Sequence, residues 1–592
     1  MAKDGFAFRL LRVDLSAGTH REDKISGDWV RRYLGGSGLA AALIAEQDVA
    51  SINPLGPENP LVWMTGPFGG TPMPSSGRVS VCAISPLTGI WGESNSGGFF
   101  APKLRIAGFD GLLVTGRSAT PVVLAILDGQ VQILPDDSLL GLDTYETQEA
   151  VRALVEREDA SVACIGTAGE QHVLYAAVLN DHGRAAGRCG LGAVMGSKNL
   201  KAVAVAGDYP VPIVDEEGLR GTARAIRDAI EEDIACQAIR MAGTAGYLDM
   251  AIMYGDLPVR GFRLGEWAPA AQLSGVRMTD EFLVRGRSCF GCTVACGRET
   301  RSPQYGLDCV DGPEYETLGA LGSLLEIDDL EAVIYANHLC NTLGLDTIST
   351  GVTLALACEL AEDGLLSKKD AGEVDLRFGS TEMLETVIPL IASREGVGEL
   401  LAGGSAALAG RCGVPERAVT VKRLEAPMHD PRAFSGMAVS YALSPRGACH
   451  MQGDVYSVET GQLSAPELGI EPGDRLESSV EKGRMAARTM IWRTVYNALN
   501  LCQFVNPTPE RILKAIEQTT GWSLSPEDLL QSGREILRLK REINRKRGMD
   551  QQDDRLPDVF LRGLPEGGTQ GVIPDLGLLL AGAHSELGSV DA

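Results

Sequence analysis

The sequence predicts an α+β multidomain protein in which a β-rich N-terminal domain is followed by two mainly α-helical domains. Three observations lead there. The chain has 592 residues, too many for a single hydrophobic core. Up to about residue 210, short apolar runs alternate with glycine-dense loops. From Asp215 onward, apolar residues recur at helical spacing instead. The pattern divides the chain into a β-rich domain over 1–210, a helical domain over 211–417 and a second helical domain over 418–592.

The elements follow in order. Residues 6–15 alternate loosely, and short strands are expected at Leu61–Met64, 78–84, Gly111–Thr115, 173–179 and 202–206. Two apolar runs at 122–127 and 130–134 flank Asp128-Gly129, a hairpin signal. Loops are expected at 65–77, 89–98 and 183–196, where glycine is dense. Leu219, Ala223, Ile226, Ile230 and Ile234 then mark a first helix. Asp328 is expected to cap a second, carrying Leu330, Ile334 and Leu339, and a third covers about 383–402. The last domain shows helical stretches at about 476–500 and 526–547, and the Gly-rich tail after Gly563 is expected to end frayed.

Composition excludes several functions. A formal net charge of −24 with no basic stripe repels phosphate backbones, so no nucleic-acid partner is expected. Aromatic residues make up only 5%, which offers no stacking platform for single strands. No apolar run approaches the ~20 residues of a membrane helix, and the first residues lack the apolar stretch of a secretory signal. Thirteen cysteines, an odd number scattered along a long chain, do not read as a disulfide framework. A reducing cytoplasm suits them better. The acidity also opposes docking of an acidic electron carrier, so that contact would need a local basic patch.

The strongest local signal is Cys289-Phe-Gly-Cys292-Thr-Val-Ala-Cys296. Three thiols so close, with a turn at Gly291, can wrap one metal cluster, and a cubane iron–sulfur cluster needs a distant fourth thiolate. Zinc with three cysteines and a histidine is the rival, but no histidine lies near in sequence and His338 falls in an expected helix. The spacing favours iron–sulfur. Cys309, Cys340, Cys412, Cys449 and Cys502 are candidates for the fourth ligand, and local chemistry does not choose among them. Others, such as Cys82, Cys236 and Cys358, read as small buried hydrophobes.

Taken together, the glycine-rich loops carry more. Gly66-Pro-Phe-Gly-Gly, Ser76-Gly-Arg78-Val-Ser-Val, Gly92-Glu-Ser-Asn95-Ser-Gly97-Gly and Gly183-Arg184-Ala185-Ala-Gly187-Arg188 precede the cysteine motif. Gly312-Pro-Glu314-Tyr-Glu316-Thr, Leu343-Gly-Leu345-Asp346-Thr and Ser444-Pro-Arg446-Gly-Ala-Cys-His450 follow it. In order and spacing this series, from about residue 5 to 550, resembles the aldehyde:ferredoxin oxidoreductase family. The resemblance implies a β-rich pterin-binding first domain and one tungsten held by two pterins. Molybdenum suits the same sulfur ligands. It also implies one [4Fe–4S] cluster and a Mg2+ bridging the pterin phosphates.

Arg78, Asn95, Gly97, Arg184, Ala185, Gly187 and Arg188 would contact the pterins by motif position, with Leu345, Asp346 and Arg446 from the helical domains. Backbone N–H groups at glycine turns and arginine forks suit phosphates and polar ring edges. The family's D-x-x-G-L-C motif falls on Asn497-Ala-Leu-Asn500-Leu501-Cys502, which makes Cys502 the fourth cluster ligand beside Cys289, Cys292 and Cys296. Asn497 stands where the family has Asp, as does Asn341 in Asn341-Thr-Leu-Gly-Leu-Asp346. Both keep an amide acceptor for a pterin ring but lose a carboxylate. Tyr335 and His338 occupy the E-x-x-H positions on which some members bridge two subunits through a metal, so that bridge is not expected. Quaternary structure stays open between a homodimer and a hetero-oligomer.

The implied reaction oxidises an aldehyde to a carboxylic acid and passes electrons through the cluster to ferredoxin or an iron–sulfur partner subunit. It needs a polarising donor and a base. The resemblance points to His450 and to Glu314 or Glu316, without choosing between the two glutamates. His429, just before Asp430-Pro-Arg, reads as capping a turn, with a place near the site as the alternative. Two rivals remain: a benzoyl-CoA reductase-type catalytic subunit, and an iron–sulfur electron-transfer subunit lacking the pterin metal.

Overall fold

The structure, a computed structural model, describes residues 6–372 and 374–588. Two six-stranded sheets form the first part of the chain. Edge to edge, the first runs Thr19–Ile25, Phe8–Asp14, Gly111–Thr115, Leu61–Met64, Val79–Ile84 and Trp91–Ser96. The second runs Arg184–Ala186, Val178–Asn180, Ser161–Cys164, Leu200–Ala206, Val122–Leu127 and Gln130–Pro135. The hairpin expected at Asp128-Gly129 is present, with Leu127 paired to Gln130 and φ of 48° and 77° at the two turn residues. Those positive values are what a two-residue turn matched to strand twist requires.

Two of the expected loops contain strands. Trp91–Ser96 and Arg184–Ala186 lie inside 89–98 and 183–196. Trp91–Ser96 is buried apart from a half-buried Asn95, so its polar residues face other protein groups and no apolar alternation marks it. The strand expected at 173–179 is confined to Val178–Asn180.

A three-stranded antiparallel sheet, Leu283–Arg287, Gly297–Ser302 and Leu307–Asp311, carries the cysteine motif in its first connection, which the Arg287–Gly297 pair closes. Around it the chain is helical. The expected first helix ends at Glu232, and Asp233 caps a new one, Ile234–Ala242, which leaves Ile234 exposed. Asp329, rather than Asp328, caps Leu330–Leu343 by accepting from the N–H groups of Glu331 and Ala332. The stretch expected at 383–402 is two helices, Thr381–Ser393 and Val397–Leu401.

Helix Val480–Leu499 threads the centre of the last part, with 15 of its residues from Lys482 to Leu499 buried. The tail does not fray within the described residues. It forms helix Leu576–Leu587, and the two helices meet through reciprocal glycines. A Cβ on Gly483 would lie 1.9 Å from the Leu579 carbonyl, and one on Gly582 would lie 1.9 Å from that of Val480. Glycine permits the crossing because nothing larger fits. Among the described residues no helix is long and apolar enough to cross a membrane.

Candidate active site

The C-terminal end of Val480–Leu499 docks on the first sheet, because Gly66 lets the Leu499 carbonyl approach to 2.0 Å from where a Cβ would stand. Asn500 follows in the left-handed region, φ 54°. This is a helix-ending position that asparagine tolerates as glycine does, so the family's glycine is replaced without forcing the backbone. Its amide ties the junction: Nδ2 donates to the Met64 carbonyl at 2.8 Å, and Oδ1 accepts from Ser80 at 2.8 Å and Asn95 at 3.3 Å.

Between this end, strand Trp91–Ser96 and the turn after Arg184–Ala186 lies a cavity of about 180 Å³. Arg78, Asn95, Ala185, Gly187, Arg188, Arg446, His450 and Asn497, all expected from the sequence, line it with Glu93 and Gln452. Arg78 donates to the Asn95 side chain and carbonyl. Arg188 donates to the Ala448 and Glu425 carbonyls at 3.0 and 2.6 Å and faces Asp346 at 3.4 Å. Asp346 caps helix Thr347–Glu362. Arg446 donates to the Glu93 carbonyl and the Cys449 sulfur.

The other expected residues stand outside the lining. Leu345 bridges to Ala176, the Asn341 carbonyl accepts from Thr144, and Leu501 is buried under the helix end. Arg184 lies toward the cysteine loop, where Cys289 and Cys296 act on it.

That loop packs against Gly97. A Cβ there would stand 2.8 Å from Cys289 Sγ, so glycine is needed for the approach. Ser75 joins the loop to the distant cysteine: its hydroxyl contacts Cys292 Sγ at 3.9 Å and its carbonyl accepts the Cys502 N–H at 3.0 Å. Burial pushes the Cys502 thiol up to about 11, with Arg78 opposing and Cys292 and Cys289 adding to it. Cys309 is exposed at Glu299, whereas Cys340 and Cys449 are buried elsewhere. Among the described residues, no three His, Cys, Asp or Glu side chains converge as a single metal ion would require.

The two glutamates diverge because Glu314 is the N-cap of helix Tyr315–Leu321, whereas Glu316 lies in its first turn. Glu314 accepts from the Thr244 hydroxyl and acts on Cys296 and Arg184. Glu316 turns to the histidines. Its Oε2 accepts the Met428 N–H at 2.8 Å, while Oε1 lies 3.4 Å from His450 Nδ1 and 3.6 Å from His429 Nε2. Burial pushes the Glu316 carboxyl up, with His429 chief among the groups opposing it. Burial, with His429, Arg188 and Arg446 nearby, holds His450 well below its usual value. His429 itself is not a turn cap: its Nδ1 contacts Asp256 Oδ2 at 2.8 Å.

The polar surroundings of the cavity are incomplete. Among the described residues Arg446 Nε, Glu316 Oε1, His450 Nδ1, Gln452 Oε1 and Gln503 Oε1 are buried without a hydrogen-bond partner. Buried polar atoms are rarely left so, and donors and acceptors clustered this way fit a polar group seated among them. Sequence reasoning missed Gln452 and Asp256, which lie in no motif, and Glu93, which sits inside the Gly92–Gly98 motif but was not singled out.

A buried pocket of carboxylate, histidine and arginine groups with a cysteine loop beside it is the kind of site a cofactor-dependent oxidoreductase uses. Comparison with known proteins narrows this class. The N-terminal domain of aldehyde ferredoxin oxidoreductase matches residues 10–207, and its domains 2 and 3 match 222–582. The tungsten-containing aldehyde ferredoxin oxidoreductases of Pyrococcus furiosus and Thermococcus kodakarensis are 39% and 38% identical, over 95% of this chain and 93% of theirs. The chain belongs to the aldehyde ferredoxin oxidoreductase family and is an oxidoreductase of that type. A solved active-site complex BamBC of benzoyl coenzyme A reductase shares the fold, with a TM-score of 0.82 over 98% of each chain at 24% identity.

Proposed function

We propose that this oxidoreductase converts aldehydes to carboxylic acids with a tungsten bis-pterin in the cavity, delivering electrons through a [4Fe–4S] cluster to ferredoxin or an iron–sulfur partner subunit. One observation carries the reading: polar atoms of Glu316, His450, Arg446, Gln452 and Gln503 are buried without a partner around a cavity lined by Arg78, Arg188 and Arg446. Arg78, Arg188 and Arg446 would hold the pterins, and Mg2+ would supply counter-charge for their phosphates. Cys289, Cys292, Cys296 and Cys502 would hold the cluster. When bound, the metal centre supplies a two-electron acceptor and the cluster a single-electron outlet.

The protein's own residues manage protons and water. Oxidising a hydrated aldehyde to carboxylate releases protons as well as electrons, so a base must face the substrate hydroxyl. Glu316 is that base. His450, kept neutral by burial, donates to or accepts from the substrate oxygen opposite it. Arg188 and Arg446 supply positive charge for the developing carboxylate from buried positions. Glu314, on the thiol side, adjusts charge around the cluster. A cytoplasmic location follows from the reduced state such thiols need.

Anaerobically purified protein is to be analysed for metals and offered aldehydes with a low-potential dye. About one tungsten and about four irons per chain, with dye reduction, are expected. Iron without a pterin metal, from a host that loads the cofactor, would instead mark an electron-transfer subunit. Zinc without iron would sink the cluster.

A further inference from the structure

We propose that His429 is a positioning residue: clamped by Asp256 and stacked on Tyr456, it turns a cationic Nε2 edge to the Glu316 oxygen that faces His450, and so keeps Glu316 an ionised base. The inference rests on Glu316 being the base of the proposed reaction.

Geometry carries it. Asp256 is fully buried; it accepts from the Tyr247 hydroxyl at 3.0 Å and the Asp430 N–H at 2.8 Å. Among the described residues, His429 is the only cationic group within ion-pair distance of it. A buried carboxylate without a counter-charge is strongly disfavoured, so Asp256 draws a proton onto His429. With Nδ1 engaged there, Nε2 is the edge left for Glu316, and 3.6 Å is a charge contact rather than a hydrogen bond. The Tyr456 ring lies parallel to the imidazole, 4.0 Å away at 12°, an arrangement that favours a cation.

The remaining neighbours do not compete. Tyr315 and Tyr247 both pack tilted against the imidazole, and the Tyr441 hydroxyl donates to the His429 carbonyl at 2.6 Å. Asp454, which also faces the imidazole, is neutralised by a bidentate pair with Arg493 at 2.6 and 2.7 Å. Asp430 is paired with Arg432 at 2.6 Å. His450 contacts the same Glu316 oxygen, with its ring centroid 5.5 Å from that of His429; among the described residues it has no acidic partner within ion-pair distance except Glu316, and it sits near Arg188 and Arg446. One carboxylate oxygen therefore contacts both a histidine with a fixed counter-ion and a histidine without one. The arrangement lets Glu316 take up a proton that the neutral His450 side cannot stabilise as charge. In agreement, burial alone opposes the charge on His429, yet Asp256 leaves its imidazole above its usual value.

The test titrates Glu316 directly. In holoenzyme, the carboxylic acid band assigned to Glu316, the one lost in Glu316→Gln, is followed by infrared difference spectroscopy against pH. The kcat/KM profile for aldehyde oxidation is measured in parallel. Removing the cation in His429→Gln, or its counter-ion in Asp256→Asn, leaves burial less opposed. The Glu316 midpoint should rise, and with it the acid limb of kcat/KM should move about one to two pH units upward. Unmoved midpoints in both variants overturn the proposal even if activity falls, because loss of activity alone would be structural. If both variants fail to fold, Tyr247→Phe, which removes one hydrogen bond to Asp256, must raise the midpoint by a smaller amount; no movement there also overturns it. A midpoint that moves in protein without aldehyde activity would leave His429's role standing and refute the proposed reaction.

Discussion

Behind the cavity, Lys540 reaches from helix Pro526–Lys546 to Glu93, 2.5 Å away, with both side chains 2% exposed or less. Ser37 accepts from the ammonium at 2.9 Å, and the Trp91 indole donates to the carboxylate at 3.1 Å. Burial pushes the Glu93 carboxyl up, but Lys540 and Arg446 outweigh it and hold it below the usual range. Glu93→Gln strands the ammonium. Breaking a buried pair from one side costs about 3–5 kcal/mol, and the upper end is a cap, since an isolated buried ammonium sheds its proton instead. For a chain this long melting as one unit, that is a fall of about 2–4 °C, and more if a smaller unit melts alone. Lys540→Met should cost less, because Trp91 and Arg446 still serve Glu93. The double variant Glu93→Gln/Lys540→Met should recover at least half of the larger loss. Calorimetry of the four proteins closes the cycle. A double variant no more stable than Glu93→Gln would refute the reasoning, because the loss would then come from packing and not from an unpaired charge. Since the Glu93 carbonyl also receives Arg446, pterin content measured on the same samples should fall in the single variants and recover with stability.

Other outcomes follow from the same geometry. Cys502→Ala should lower iron content below that of the parent, whereas Cys309→Ala should leave it unchanged, as iron analysis would show. Glu316→Gln should lower kcat by at least ~100-fold while Glu314→Gln costs under ~10-fold; equal losses would contradict the division of roles. Asn500→Gly should be less destabilising than Asn500→Ala by about 1–2 kcal/mol, because alanine resists the left-handed backbone at φ 54°. Denaturant midpoints would reverse the argument if alanine proved the better substitute.

The sequence by itself determined the broad architecture and most of the cavity. Periodicity separates the sheets from the helices, since side-chain direction repeats every two residues in one and every 3.6 in the other. Resemblance to the family's motifs marks Arg78, Asn95, Arg188 and Arg446 for the cavity, where no spacing alone would single them out, and they line it. The third sheet, Leu283–Asp311, escaped periodicity because its strands carry mostly polar side chains and owe their pairing to register. Strand Trp91–Ser96 escaped it because its polar residues serve the cavity.

What only the tertiary structure decided depends on distant contacts. Glu314 and Glu316 differ in direction because a helix starts between them, a two-residue distinction that no composition reveals. Asp256 meets His429 across 173 positions and Glu93 meets Lys540 across 447. Each is an ordinary charged residue until burial removes its water. The charge it can then keep is set by the partner that folding brings to it.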